Sequence, residues 1–219
     1  MKLTEELYEN VKEIWEGYHS HPFIKEMGEG TLPMEKFRYY MVQDYIYLYE
    51  YVKVFALGVI KADSNELMRL FSGLVNSTMN GEMDIHKSYM KRLGITEQET
   101  EETKAALDNV SYTSYMLNEA YQGGIPEILA SVLACAWSYQ VIGERLAEIP
   151  GMTEHEFFGE WVSGYASAEY AAANKELFEI IDRLGESLSR KQKEKMITIF
   201  IRCSLYEKNF WDMAYEMRE

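Results

Sequence analysis

Ile128-Leu129-Ala130-Ser131-Val132-Leu133-Ala134-Cys135-Ala136-Trp137-Ser138-Tyr139-Gln140-Val141-Ile142-Gly143 is the most apolar run of the chain, and its reading decides the fold. It is too short for a bilayer span and carries Ser131, Ser138, Tyr139 and Gln140, which suits a helix sealed inside a protein core. The helix is expected to start at Pro126 and to stop before Pro150-Gly151. Helix formers dominate the other segments too: only four Pro and 14 Gly interrupt 219 residues that are 47% hydrophobic, and no period-2 alternation appears. The expectation is an all-α fold, a single-domain multi-helix bundle over residues 1–219, with roughly eight or nine helices around one core.

Charge narrows the function classes. A formal net charge of −14 and a pI near 4.8 oppose a nucleic-acid partner, because duplex binding draws on clustered Lys and Arg. The run Arg190-Lys191-Gln192-Lys193-Glu194-Lys195 reads as the solvated face of a helix. Residues 1–20 hold Glu5, Glu6, Glu9, Glu13 and Glu16 without an apolar signal region, so no secretion signal and no membrane partner are expected, and the cytoplasm is the default. Cys135 and Cys203 both lie in helical patterns and fit reduced thiols.

Caps and breakers place the helices. Thr4 is expected to cap a first helix reaching Tyr18, with Leu7, Val11 and Trp15 on one stripe. Pro22 opens a short helix to Met27, stopped by Gly28 and Gly30. Pro33, at the first helical position, starts a long helix to Lys61 on which Tyr40, Asp44, Tyr47 and Tyr51 share a face. Asp63 with Glu66 is a capping-box pattern for a helix to Leu93, closed by Gly94 and interrupted by Gly73 and Gly81. Thr96 with Glu99 opens a short helix to Leu107. A further helix spans Ser111 to Tyr121, exposing Tyr112, Tyr115 and Met116. Thr153 with Glu156 is the cap pattern for a helix through Trp161 and Tyr165 that breaks near Gly164 to Ser167. Another segment runs from Ala168 to Leu184, and Ser189 with Gln192 opens a last helix to Met217, on which Cys203, Glu207 and Phe210 form one stripe.

These placements leave few chemistries open. A di-iron bundle needs two Glu-x-x-His motifs, and the chain has one, Glu16 to His19. Haem could be held by His19 or His21, but the ordinary role for such a histidine is to cap backbone carbonyls at a helix end. No Gly-rich phosphate loop, Gly-x-Ser-x-Gly elbow or His-Glu-x-x-His zinc motif occurs. What remains is a thiol, carboxylates and phenols: Asp44 with Tyr47, Cys135 with Tyr139, and Glu207 with Phe210, each pair one helical turn apart. On its own Cys135 reads as an inert core thiol, since free cysteine is commonly buried as a small hydrophobe. The three pairs together suit a flat nitrogen-containing ring, stacked on aromatic faces, paired with carboxylates and open to attack by a thiolate.

Several stretches together resemble the thiaminase II, or TenA, family of haem-oxygenase-like all-α proteins. They are His21-Pro22-Phe23, Gly30-Thr31-Leu32-Pro33 with Phe37-Arg38-Tyr39-Tyr40, Gln43-Asp44-Tyr45, Glu82 to His86, Ser111-Tyr112-Thr113-Ser114-Tyr115, Cys135 to Tyr139, Trp161-Val162-Ser163-Gly164-Tyr165 and Tyr206 to Tyr215. The resemblance covers nearly the whole chain. It implies hydrolysis at the exocyclic methylene of a 4-amino-2-methylpyrimidine in thiamin salvage, with thiamin or the aminomethylpyrimidine as substrate and hydroxymethylpyrimidine as product. It also implies a homotetramer and no cofactor. By the same resemblance Cys135 is the nucleophile and Glu207 the acid and base, Asp44 binds the ring nitrogen and amino group, Tyr112 supports the polar network, and Tyr47, Tyr139, Tyr165 and Phe210 surround the ring. The alternatives are a haem-binding bundle and a non-enzymatic regulatory protein.

Overall fold

Local capping and breaking residues set most helix boundaries in the computed structural model, which describes residues 1–219. Eleven α-helices and one π-helical turn follow one another without a β-strand. They are α1 (Leu3–Ser20), α2 (Pro22–Gly28), α3 (Met34–Lys61), α4 (Asn65–Ser77), the π-helical turn (Thr78–Glu82), α5 (Met83–Arg92), α6 (Glu97–Glu102), α7 (Leu107–Gln122), α8 (Ile125–Ala147), α9 (Gly159–Tyr165), α10 (Ala168–Ser187) and α11 (Arg190–Glu216). The all-α expectation holds, with more pieces than the eight or nine expected.

The differences have local causes. Thr4 does not cap α1: its amide and hydroxyl both donate to Asp182 on α10, and the Lys2 amide donates to Glu5 instead. Pro33 stands one residue outside α3, at its cap. Ser64 rather than Asp63 caps α4, accepting the Leu67 amide at 3.3 Å. The single helix expected from 63 to 93 is divided by the π-helical turn containing Gly81, and Gly94 then closes α5 with φ +69°, a conformation that favours glycine. Thr153 and Glu156 cap nothing. Instead the His155 ring accepts the amides of Phe157 and Phe158, and α9 starts only at Gly159. Thr96 and the Ser189–Gln192 pair cap as expected.

The chain forms two compact units, Met1–Leu32 with Leu129–Lys208, and Pro33–Ile128 with Asn209–Glu219. In the first, Trp15 of α1 lies 5.3 Å from Trp137 and 5.7 Å from Phe200, and Trp137 lies 4.6 Å from Phe178. Ring-to-ring geometry adds only about 0.5–1.5 kcal/mol per pair, so removal of these rings from water is the larger stabilising term. In the second, α3 is the hub and packs against α4, α5 and α7. Gln43 ties that hub to the chain entering α7. Its side-chain nitrogen donates to the Lys104 carbonyl, while its side-chain oxygen accepts the Ala106 amide and the Asn109 side chain.

α8 lies within a residue or two of the span expected from Pro126 to before Pro150, and by length and composition alone it could cross a membrane. Burial of 67% of its most apolar window inside the protein marks it as a core helix. Tyr112 and Met116, expected on an exposed face of α7, are fully buried, because α7 turns that face toward α3.

Candidate active site

In the first unit the expected thiol and acid lie on α8 and α11. Cys135 is 9% exposed and Glu207 is 2% exposed, and neither cysteine is in a disulfide. Both groups lie within electrostatic reach of one phenol, Tyr18 of α1. Burial above all, then the Glu207 carboxylate and more weakly Cys135 and Cys203, hold the Tyr18 hydroxyl well above the usual tyrosine range. Tyr18 therefore stays protonated and donates to the Ser204 carbonyl, and the Trp15 indole N–H donates to the Ser204 hydroxyl at 3.0 Å. Ser204 is one turn before Glu207, so α1 fixes the rotation of α11 at that carboxylate.

The turn that presents Cys135 is held equally firmly. The Ser138 hydroxyl donates to the Cys135 carbonyl at 3.1 Å, and the Asn174 side chain of α10 donates to the Ala136 carbonyl at 3.0 Å and to Gln140 at 2.8 Å. One turn on, the Tyr139 ring lies 4.9 Å from Tyr165 and 5.8 Å from Trp161. The aromatic pair expected on α8 and α9 is brought together in this way.

In the second unit, Tyr40, Asp44, Tyr47 and Tyr51 are all buried on α3, as their shared face predicts. The Tyr47 ring lies 5.3 Å from Tyr51, 5.4 Å from Tyr112 and 5.7 Å from Phe210, so two of the residues expected around the ring, Tyr47 and Phe210, cluster with Tyr112. Asp44 is only 4% exposed, yet both its protein partners use the same oxygen. Oδ2 lies 2.7 Å from His86 Nε2 and accepts the Tyr40 hydroxyl at 3.3 Å; no protein hydrogen bond reaches Oδ1. An oxygen of a buried carboxylate left in this state is suited to a ligand that brings an N–H.

His86 is the site residue that reading by spacing missed. It follows the π-helical turn, and its Nδ1 lies 3.0 Å from the Glu82 carbonyl. Burial disfavours a charge on the ring, but the hydrogen bond and charge of Asp44 outweigh it and raise the His86 pKa above the ordinary 6.5. The available signal was one of only four histidines, placed mid-helix one turn beyond Glu82. His21, considered as a haem ligand or a cap for carbonyls, caps an amide: its Nδ1 accepts the Phe23 N–H at 3.2 Å and starts α2.

Comparison with known proteins gives the family. The model of the TENA/THI-4/PQQC family matches residues 8–217. The chain belongs to this family. An aminopyrimidine aminohydrolase of Helicobacter pylori is 46% identical over 216 residues, covering 99% of this chain and 100% of that protein. The solved structure of a TenA homologue from P. horikoshii OT3 superposes with a TM-score of 0.90 at 30% identity, covering 99% of both chains. A Shewanella denitrificans domain described as having a heme oxygenase-like fold superposes with a TM-score of 0.77 over 99% of this chain at 15% identity, a likeness of fold alone. The TenA homologue and the Shewanella denitrificans domain thus share the all-α architecture of this chain.

Proposed function

We propose that the protein is a hydrolase of 4-amino-2-methylpyrimidines, acting at the exocyclic methylene in thiamin salvage. The observation that carries this reading is the full-length likeness, at 46% identity, to a protein named aminopyrimidine aminohydrolase. The buried Asp44, with Oδ1 open to an N–H donor, fits recognition of the amino group, and the Tyr47, Tyr112 and Phe210 rings fit a flat heterocycle.

In this reading Cys135 adds as thiolate to the ring carbon beside the substituted one, while Glu207 protonates a ring nitrogen. Aromaticity is broken, and the electrons returned from the ring expel the substituent on the methylene. That group is ammonia from the aminomethyl compound or the thiazole from thiamin. Water adds to the exocyclic carbon and gives up a proton, to the departing ammonia or, beside the neutral thiazole released from thiamin, to solvent; the ring nitrogen returns its proton to Glu207, and the thiolate leaves as aromaticity is restored. The net change is substrate plus water to hydroxymethylpyrimidine plus the leaving group, and the route uses no cofactor. Tyr139 and Tyr165 line the ring, and Tyr112 supports the polar network around it. One domain over residues 1–219, a homotetramer and a cytoplasmic location complete the reading, and the mass of the native protein in solution tests the assembly.

The test follows hydroxymethylpyrimidine from both thiamin and aminomethylpyrimidine. Product is expected from at least one substrate, and its absence from both overturns the reading. Cys135→Ala is expected to abolish turnover while circular dichroism keeps the helical signature; near-normal turnover would sink the covalent route. Glu207→Gln should lower kcat by about 10²-fold or more, typical of a general acid–base group.

A further inference from the structure

The reaction above gives no task to His86, which is 3% exposed and bonded at both ring nitrogens. Both partner atoms are oxygens: the Glu82 carbonyl on its own helical segment, and Asp44 Oδ2 from α3. A carbonyl can only accept, so Nδ1 carries a proton. A neutral ring would then leave a bare Nε2 lone pair 2.7 Å from Asp44 and need the proton on the carboxyl group, whereas the charge and hydrogen bond of Asp44 favour the proton on the ring, as an imidazolium donating to Oδ2. The Tyr40 hydroxyl is a second donor on the same carboxylate oxygen, at 3.3 Å.

The consequence falls on the other oxygen. With Oδ2 engaged by two donors from α3 and α5, the carboxylate cannot rotate without losing a buried charge-assisted hydrogen bond. Oδ1 is thereby fixed as an acceptor. A 4-aminopyrimidine presents an N–H donor beside an accepting ring nitrogen. Its 4-oxo counterpart presents an accepting oxygen beside a ring N–H, the reverse order. An unclamped carboxylic acid, with one O–H and one C=O, could serve either order, whereas an ionised and clamped one rejects the oxygen.

We propose that His86 is a positioning residue for specificity: by holding Oδ2 of Asp44 it makes Oδ1 an obligate acceptor, so that the protein takes 4-aminopyrimidines and excludes 4-oxopyrimidines. The inference rests on the reading that Asp44 receives the amino group of the substrate.

The experiment compares 4-amino- and 4-oxo-5-hydroxymethyl-2-methylpyrimidine as competitive inhibitors of the hydrolysis, in wild type, His86→Leu and His86→Gln. Wild type should prefer the amino compound by about 10²-fold or more, as sites that pair with a substrate N–H do. His86→Leu should reduce that ratio by about tenfold or more, with a larger rise in KM than fall in kcat. His86→Gln, whose amide can still donate to Oδ2, should recover part of the ratio. An unchanged ratio in a helical His86→Leu protein overturns the proposal and leaves the hydrolase reading intact. Failure of wild type to hydrolyse any aminopyrimidine overturns both. Should His86→Leu fail to fold, the nitrogen NMR signature of His86 in wild type decides: two protonated ring nitrogens at neutral pH are expected, and one bare nitrogen overturns the proposal.

Discussion

Asp44 was legible in the sequence as a carboxylate on an aromatic face, and its burial makes that face hold more than a packing stripe. Its partner was not, because His86 is 42 residues away and meets it only when α5 packs on α3. Cys135 and Glu207 were equally legible as residue types on buried helices. What the spacing left out was the phenol that senses both, since Tyr18 reaches α11 across 186 residues of sequence. The Asp44–His86 pair also carries a stability prediction. Burial lowers the His86 pKa and Asp44 raises it, and the sum lies above the ordinary value of 6.5. Between 6.5 and that raised value the folded protein binds a proton that the unfolded chain has released. The stabilisation is therefore complete below 6.5 and is lost as pH rises through the native value. Thermal unfolding of wild type and His86→Gln should differ most in mildly acidic buffer and converge toward alkaline pH. A gap that widens with pH would reverse the assignment of charge to this histidine.

At the scale of elements, the cap patterns that succeeded and failed differ in what else the side chain could reach. Thr96 and Ser189 sit in exposed turns with no competing partner and cap as written. Thr4 has Asp182 within 2.9 Å and is drawn to it, so the cap shifts to Lys2 and Glu5. Thr153 packs its own carbonyl against Gly159, where a Cβ would come within 2.4 Å, and a tight turn replaces the helical start. Two other glycines make a paired prediction. Gly17 of α1 has nothing within 4 Å of where a Cβ would stand, so Gly17→Ala should stabilise by about 1 kcal/mol through helix propensity alone. At Gly143 of α8 the same Cβ would lie 2.7 Å from Tyr165 Cβ, 2.9 Å from the Tyr165 carbonyl carbon and 3.0 Å from the Ala166 nitrogen. Backbone atoms cannot swing aside as a side chain can, so an overpacking cost of about 1–3 kcal/mol exceeds the propensity gain. Gly143→Ala should lower the melting temperature and, by moving α9 and the Tyr165 ring beside Tyr139, raise KM for the pyrimidine. A higher melting temperature for Gly143→Ala would mean that α9 yields freely and does not hold Tyr165 in place.

For the whole molecule, the balance of charge is the property the sequence states most directly and the structure alters least. Thirty-six acidic side chains face 22 basic ones, so 14 acids would remain uncompensated even if every Lys and Arg were paired. Pairs such as Lys12 with Glu9, Lys53 with Glu50 and Arg190 with Glu6 and Glu194 stand at the surface, where solvent screens the attraction and each contributes little. Salt weakens those pairs, but it also screens the mutual repulsion of the acidic excess, whose range shrinks to about 8 Å at physiological ionic strength. The two effects oppose each other, and the sign follows from the count: the excess acts over the whole surface, while the pairs are local and weak. The melting temperature should therefore rise as sodium chloride is added from low to physiological concentration. A fall would show that the paired charges dominate stability. The same field bears on the regulatory alternative. The run at 190–195, read in the sequence as the solvated face of a helix, is largely exposed, and Arg190 in it is engaged by two carboxylates. Duplex DNA at low salt, where phosphate contacts are strongest, should give no mobility shift with this protein, and a shift that fades steeply with added salt would restore nucleic-acid binding as a function.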